Sequence, residues 1–261
     1  TRFVLDDPNI QAVVIASPAG DHYEIVKEAL KKGKHVFVEK PFVLHADQAR
    51  ELVAFAKKQN LILMVGHQFL YAPLFREFSS KVKSGQFGKI QSAEAFFLNP
   101  LRDPPIELSS DAFEDLGYHD LYMLIDMFGI PTEILEAKRS ENRESIELKV
   151  LFGNTPVTMK VSREQPGKAL RMLTVQGNKS VVAYDHSDPH KLLISHGIPK
   201  TVETRPLGPE MRAFFDAINS RRAPPSSGES AVPVVAFIEW ANNLLNDSGS
   251  NSISAPRVFP Y

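Results

Sequence analysis

Two groups of residues carry candidate chemistry in this 261-residue chain. The first is Glu39-Lys40-Pro41, which closes the strand-like run His35-Val36-Phe37-Val38. A purely structural strand more often ends on Gly, Asn or Asp, the residues that favour turns. Charged groups at a strand's carboxyl end lie where open α/β sheets bind ligands. The proline restricts residue 40 to extended backbone and so aims the lysine side chain. A cis peptide before Pro41 is open to this pair, and an ordinary Glu39–Lys40 ion pair is the plainer alternative. The second group is Asp115 and His119 in "FEDLGYHDLYML", one helical turn apart on one face. A carboxylate beside an imidazole fixes its tautomer and orientation and lifts its pKa, which suits proton transfer near neutral pH. The same spacing also describes a capping Asp and a satisfied structural His.

These residues must be positioned by the elements around them. Residues 1–66 alternate strand and helix. "AVVIAS" (12–17) reads as a strand buried on both faces. Asp21 with Glu24 resembles a capping box, opening a helix that stops at Gly33. "HVFV" is the next strand, residues 46–59 form an amphipathic helix, and "LILMVG" (61–66) is a third strand. Short links between them predict parallel, right-handed βαβ units. After Gly66 the texture changes. A helix over 73–84 leads into "KIQSAEAFFL", and an apolar helical stretch covers 113–128. Strand-like segments from 133 to 184 follow, with Gly153-Asn154 and Gly177-Asn178 as hairpin turns. Helices at about 209–221 and 230–246 close the pattern. The expected architecture is part of a Rossmann domain (1–66), then an α+β domain on one large, mainly antiparallel sheet (67–261).

Composition narrows the function classes. Thirty basic and 31 acidic residues give a net charge of −1, so no electrostatic footprint points to nucleic acid or an anionic membrane. No apolar run approaches the ~18–20 residues that span a bilayer. With no cysteine, disulfide scaffolds, thiolate zinc sites and cysteine catalysis are excluded, and a cytoplasmic location is expected. The run "YDHSDPHKLLISH", with His186, Asp188, His190 and His196, imitates a metal site but reads as a polar connection.

Together, "DDPNIQAVVIASPAGDHYEIVKEALKKGKHVFVEKPF" and the Asp115-x-Gly117-x-His119 pattern resemble the glucose-fructose oxidoreductase / inositol dehydrogenase (Gfo/Idh/MocA) family. The closing "LGPEMRAFFDAINSRRAPPSSGESAVPVVAFIEWANNLL" also follows that family's helix pair, so the resemblance covers nearly the whole chain. "VGHQFLYAP" and "DLGYHDLYML" resemble most the nucleotide-sugar 3-dehydrogenase-like members. The resemblance implies an NAD- or NADP-dependent enzyme moving hydride to or from a secondary hydroxyl of a sugar, nucleotide sugar or cyclitol. It implies cofactor contacts from Ser17, Pro18, His22, Glu39, Lys40, Pro41 and Gln68. Lys40 would reach the substrate hydroxyl, His119 would be the general acid/base, and Asp115 would orient it or contact substrate. A homo-oligomer built on the antiparallel sheet is expected, with Ile146, Leu148, Val150, Val157 and Val161 as apolar surface for it.

The sequence departs from the family in two places. It has no G-x-G-x-x-G, the loop that cradles pyrophosphate. Because the chain also starts at Thr1, it is expected to be the rear part of a longer protein, lacking about 60–70 residues on the βαβ unit size. A common family arginine is Leu70 here, and Arg102 is a candidate substitute. A non-catalytic binding or regulatory relative is the second functional class.

Overall fold

The computed structural model describes residues 2–101, 111–187, 190–195, 198–202, 205–247 and 251–261. Arg102, Asp188 and His196, named above, lie outside the described residues. The chain divides into two compact units: Thr1–Tyr71 with Pro206–Glu239, and Ala72–Arg205 with Trp240–Tyr261.

In chain order the first unit begins with α1 (Arg2–Asp6), β1 (Ala12–Ile15), α2 (His22–Lys31), β2 (His35–Val38), α3 (Ala46–Lys58) and β3 (Leu63–Val65). The strands pair in parallel in the order β1-β2-β3, with Val14 opposite Phe37 and Phe37 opposite Met64. All four residues of the central strand β2 are buried, as a strand between two neighbours and two layers requires. The edge strand behaves otherwise. Val13 and Ile15 are buried, but Val14 is 56% exposed, so the expectation of burial on both faces fails for β1. Val14 projects from one face of the sheet, and burial of that face, complete at Phe37 and Met64 of β2 and β3, does not extend to β1. The proposed capping box is also absent: Asp21 makes no side-chain cap hydrogen bond, and its backbone is already helical. Helix α2 does end as expected, with Gly33 at φ +72°.

The second unit starts with α4 (Pro73–Lys83) and β4 (Ile90–Pro100). A π-helical turn, Phe113–Gly117, then runs straight into α5 (Tyr118–Phe128). The strands β5 (Glu133–Arg139), β6 (Ser145–Phe152), β7 (Thr155–Gln165), β8 (Leu170–Gly177), β9 (Val181–Asp185), β10 (His190–Ile194) and β11 (Lys200–Val202) follow. The chain then returns to the first unit with α6 (Leu207–Ser220) and α7 (Gly228–Asp247) as far as Glu239. The end of α7 and the two-residue strands β12 (Ser252–Ile253) and β13 (Arg257–Val258) complete the second unit. The sheet order is β11-β10-β9-β8-β4-β7-β6-β5-β12, with β13 also on β5. Only β4–β7 is parallel, so the sheet is mainly antiparallel, as expected. Both hairpin turns form: Gly153 adopts φ +59°, and Gly177 N–H donates to Ser180 O at 3.0 Å.

Two sequence readings are corrected by this sheet. Of the run read as a polar connection, His190–Ile194 is a strand, and His186 and His190 are both buried. Ile146, Leu148, Val150, Val157 and Val161 are at most 3% exposed and face the core. The other side of β5, β6 and β7 carries the ion pairs Lys149–Glu136 (2.8 Å) and Lys160–Glu147 (3.4 Å). Strand alternation identifies two faces but does not say which one the helices cover.

In the first unit, α6 returns to the three-stranded sheet. Phe214 meets Phe37 edge-on at 5.9 Å, and with Met64 and Tyr71 they form a buried cluster. Truncating either phenylalanine would cost about 3–5 kcal/mol. Glu210 lies one turn before Phe214 on α6, which brings a carboxyl group towards the same sheet.

Candidate active site

At the carboxyl ends of β1 and β2 the first unit gathers most of the residues singled out from sequence. The Lys40–Pro41 peptide is cis. His22 joins the two strand ends: its Nε2 is 2.9 Å from Ser17 O and its Nδ1 is 2.8 Å from Pro41 O. The ring is buried to 1% exposure, so its role here is to lock the Ser17-Pro18 loop to the Glu39-Lys40-Pro41 loop. Glu39 Oε2 accepts the Lys40 backbone N–H at 3.2 Å. Gly66, at the end of β3, leaves room for this carboxylate: a Cβ there would stand 2.8 Å from Glu39 Oε2 and 3.4 Å from Glu39 Cα. Lys40, Glu39, Pro41, Ser17 and Gln68 are partly exposed, and Pro18 is fully so. Gln68 begins a short 3₁₀ turn, Gln68–Tyr71, directly after β3.

Behind this rim sit two buried titratable groups that the sequence did not single out. His67 is 1% exposed, and burial pulls its imidazole down to about 3. Glu210 is also 1% exposed, and neither carboxyl oxygen has a hydrogen-bond partner. Burial first, then the Glu39 charge, pushes it up to about 8, so it is neutral at pH 7. Nothing local in the sequence marked Glu210, because its burial comes from α6 docking across the sheet.

The second unit places Asp115 on the π-helical turn and His119 in the first turn of α5. Asp115 Oδ2 pairs with Arg163 Nη2 at 3.1 Å, and Arg163 also reaches Glu144 at 3.3 Å. The His119 ring lies flat on Phe97 of β4, with centroids 5.4 Å apart and planes 16° from parallel. Its Nδ1 is 3.3 Å from the Tyr122 hydroxyl. The stacking and that contact fix the imidazole plane. Gly117 has a steric reason: a Cβ would lie 2.3 Å from the buried Phe113 ring. Beneath His119, Asp120 and His186 form a fully buried pair at 3.5 Å, and burial raises the Asp120 carboxyl. His186 in turn meets Phe97 edge-on at 5.3 Å.

The first unit's candidate cofactor residues lie together at one rim of its sheet. They form the carboxyl edge of a parallel sheet, where ligands of open α/β sheets bind. Ser17 Oγ is buried there without a hydrogen-bond partner. Among the described residues no group of three or more His, Cys, Asp or Glu is arranged to hold a metal. No described helix is long and apolar enough to cross a membrane.

Comparison with known proteins agrees with this geometry. Residues 2–67 match the Gfo/Idh/MocA model, described as an oxidoreductase family with an NAD-binding Rossmann fold. The uncharacterized oxidoreductase YhhX of Escherichia coli is 32% identical over 167 residues, 61% of this chain and 48% of its own. A dTDP-3,4-didehydro-2,6-dideoxy-alpha-D-glucose 3-reductase of Saccharopolyspora spinosa is 31% identical over 147 residues, 54% of this chain and 44% of its own. The chain thus spans about half the length, or less, of these relatives. Among solved structures, a 3-ketoreductase from Actinomadura kijaniata, crystallised with TDP-benzene and NADP, superposes with a TM-score of 0.79. At 21% identity, over 91% of this chain and 78% of that one, it shows the shared fold.

Proposed function

We propose that this chain, whose residues 2–67 match the Gfo/Idh/MocA oxidoreductase family model, serves a nicotinamide-dependent dehydrogenase. Its substrate would be a sugar, nucleotide sugar or cyclitol, reacting at a secondary hydroxyl. The observation that carries this reading is the pairing of two signatures in one chain. The Glu39-Lys40-Pro41 loop is tied to Ser17 by His22, and His119 is held flat on Phe97. NAD or NADP, when bound, supplies the hydride chemistry. Ser17, Pro18, Glu39, Lys40, Pro41 and Gln68 would hold it, with His22, expected from the sequence to touch it, instead fixing their loops from behind.

His119 takes the hydroxyl proton during oxidation and returns it during reduction. On the resemblance to the family, Lys40 would donate a hydrogen bond to a substrate hydroxyl and stabilise the negative charge that develops there. Asp115, fixed by Arg163, orients the start of α5 and with it the imidazole. The free sheet face is our candidate for a homo-oligomer contact, and the absence of cysteine suits the cytoplasm.

Nicotinamide absorbance decides the matter. The protein is incubated with NAD⁺ or NADP⁺ and a panel containing free hexoses, sugar acids, inositols and nucleotide sugars. Reduction with at least one of them is expected. Dinucleotide binding without turnover on any member would refute the dehydrogenase reading and favour a non-catalytic relative.

A further inference from the structure

Arg171 has an unusual setting for a half-buried cation. It stands on β8 directly opposite Phe97 on β4, on the sheet face that α5 covers. Its guanidinium carbon lies over the Phe97 ring, 5.0 Å from the centroid, and the same ring stacks on His119 at 5.4 Å. The guanidinium and the imidazole are therefore no more than about 10 Å apart. Nε and Nη2 both donate to Asn99 Oδ1, at 3.2 and 3.0 Å.

That acceptor is neutral. Among the described residues no carboxylate lies within ion-pair distance of Arg171, whereas Arg139, Arg143 and Arg163 each have one. Burial lowers its pKa. A cation taken out of water with only an amide for company is unfavourable. Such an arrangement is retained where a ligand completes it.

We propose that Arg171 recognises an anionic group, a carboxylate or a phosphate, carried by the sugar-type substrate whose hydroxyl meets His119. This deepens the dehydrogenase reading and rests on it for the identity of the ligand as a sugar. The fork geometry supports the assignment. Asn99 occupies the Nε–Nη2 edge, which leaves Nη1 and the second Nη2 hydrogen to grip an anion with two parallel hydrogen bonds. Phe97, only 4% exposed, packs against both polar groups and holds them in one cluster. Sequence alone gave no hint of this, because Arg171 and Phe97 are brought together only by the β4–β8 register.

Calorimetric titration of the whole protein with D-glucose, D-glucuronate and glucose 1-phosphate tests the proposal. At least one anionic sugar should bind about tenfold or more tightly than glucose, the worth of one charged hydrogen bond. Glucuronate alone would identify a carboxylate, and glucose 1-phosphate alone a phosphate. Arg171→Gln should abolish the preference. Arg171→Lys should keep part of it, because the charge remains but the fork is lost. The preference should also shrink with added salt.

A merely structural arginine would show itself as a lower melting temperature for Arg171→Gln. An anion-recognition residue predicts an unchanged or higher one. No preference in the wild type, or a preference that survives Arg171→Gln, overturns the proposal. If that variant fails to fold, a salt-independent preference or full retention in Arg171→Lys overturns it instead. These titrations need neither cofactor nor turnover. Absence of hydride transfer would therefore refute the dehydrogenase reading and leave the anion site standing, and the converse holds.

Discussion

Replacing Glu210 by Gln should change how folding stability depends on pH, and the expected profile follows from two buried groups with opposite behaviour. Glu210 has a folded pKa of about 8 against an ordinary 4.5. Between those values the folded chain keeps a proton that the unfolded chain has lost. Stability therefore falls as pH rises through that window, by about 1.4 kcal/mol per unit and about 5 kcal/mol in all. His67 has a folded pKa of about 3 against an ordinary 6.5. Below 6.5 the unfolded chain gains a proton that the folded chain refuses, so stability falls as pH drops from 6.5 to 3, again by about 5 kcal/mol. Between pH 4.5 and 6.5 the two slopes cancel. The wild type should be flat there, losing stability above 6.5 and below 4.5.

The Gln variant lacks the first slope. Its amide leaves a buried polar group costing about 1–3 kcal/mol, but that offset is independent of pH. The stability difference between variant and wild type should therefore shift in the variant's favour by about 4 kcal/mol from pH 5 to pH 8. Urea unfolding followed by far-ultraviolet circular dichroism at those two values measures it. Trp240 belongs to the other unit and is the wrong probe. A difference that stays constant from pH 5 to pH 8 would show that Glu210 ionises normally, and the burial argument would collapse with it.

Three further outcomes are expected. Lys40→Ala and His119→Ala should each lower kcat by ~10²-fold or more with little change in dinucleotide affinity, as for a lost acid/base group; wild-type turnover in either refutes its role. Gly117→Ala should destabilise the second unit by about 1–3 kcal/mol, because the new methyl group overlaps the buried Phe113 ring. An unchanged urea midpoint for Trp240 fluorescence would contradict that. If the open sheet face forms a homo-oligomer, light scattering at micromolar concentration should give at least twice the mass of one chain, and a monomeric mass would count against it.

Periodicity made the element types legible: β-branched runs gave strands, and apolar spacing of three to four gave helices at nearly the observed bounds. What stayed illegible was which neighbour each face meets. β6 and β7 alternate over most of their length, but alternation alone does not say which face, that of Ile146, Leu148 and Val150 or the opposite one, meets water. The same holds at the site. Lys40, Asp115 and His119 stood out through their local spacing. Glu210, Arg171 and the Asp120–His186 pair did not, because each acquires its character from a partner at least 60 residues away.

The two signature glycines show how a short motif encodes a site without contributing any functional atom. Gly66 ends β3 against the Glu39 carboxylate, and Gly117 sits under the Phe113 ring, each closer than a side chain permits. At Gly66 the missing Cβ lets Glu39 fold back and accept the Lys40 N–H, which fixes the direction in which the lysine leaves the backbone. At Gly117 it lets Phe113 stack into the π-helical turn, which sets where α5 begins and so which way His119 points. Neither glycine has a positive φ, so conformational freedom is not the reason for it. Close approach is, and this separates them from Gly33 and Gly85, whose φ of +72° marks helix ends with open space around them. An alanine at Gly33 would strain one turn of surface backbone. An alanine at Gly66 or Gly117 would move a candidate catalytic side chain.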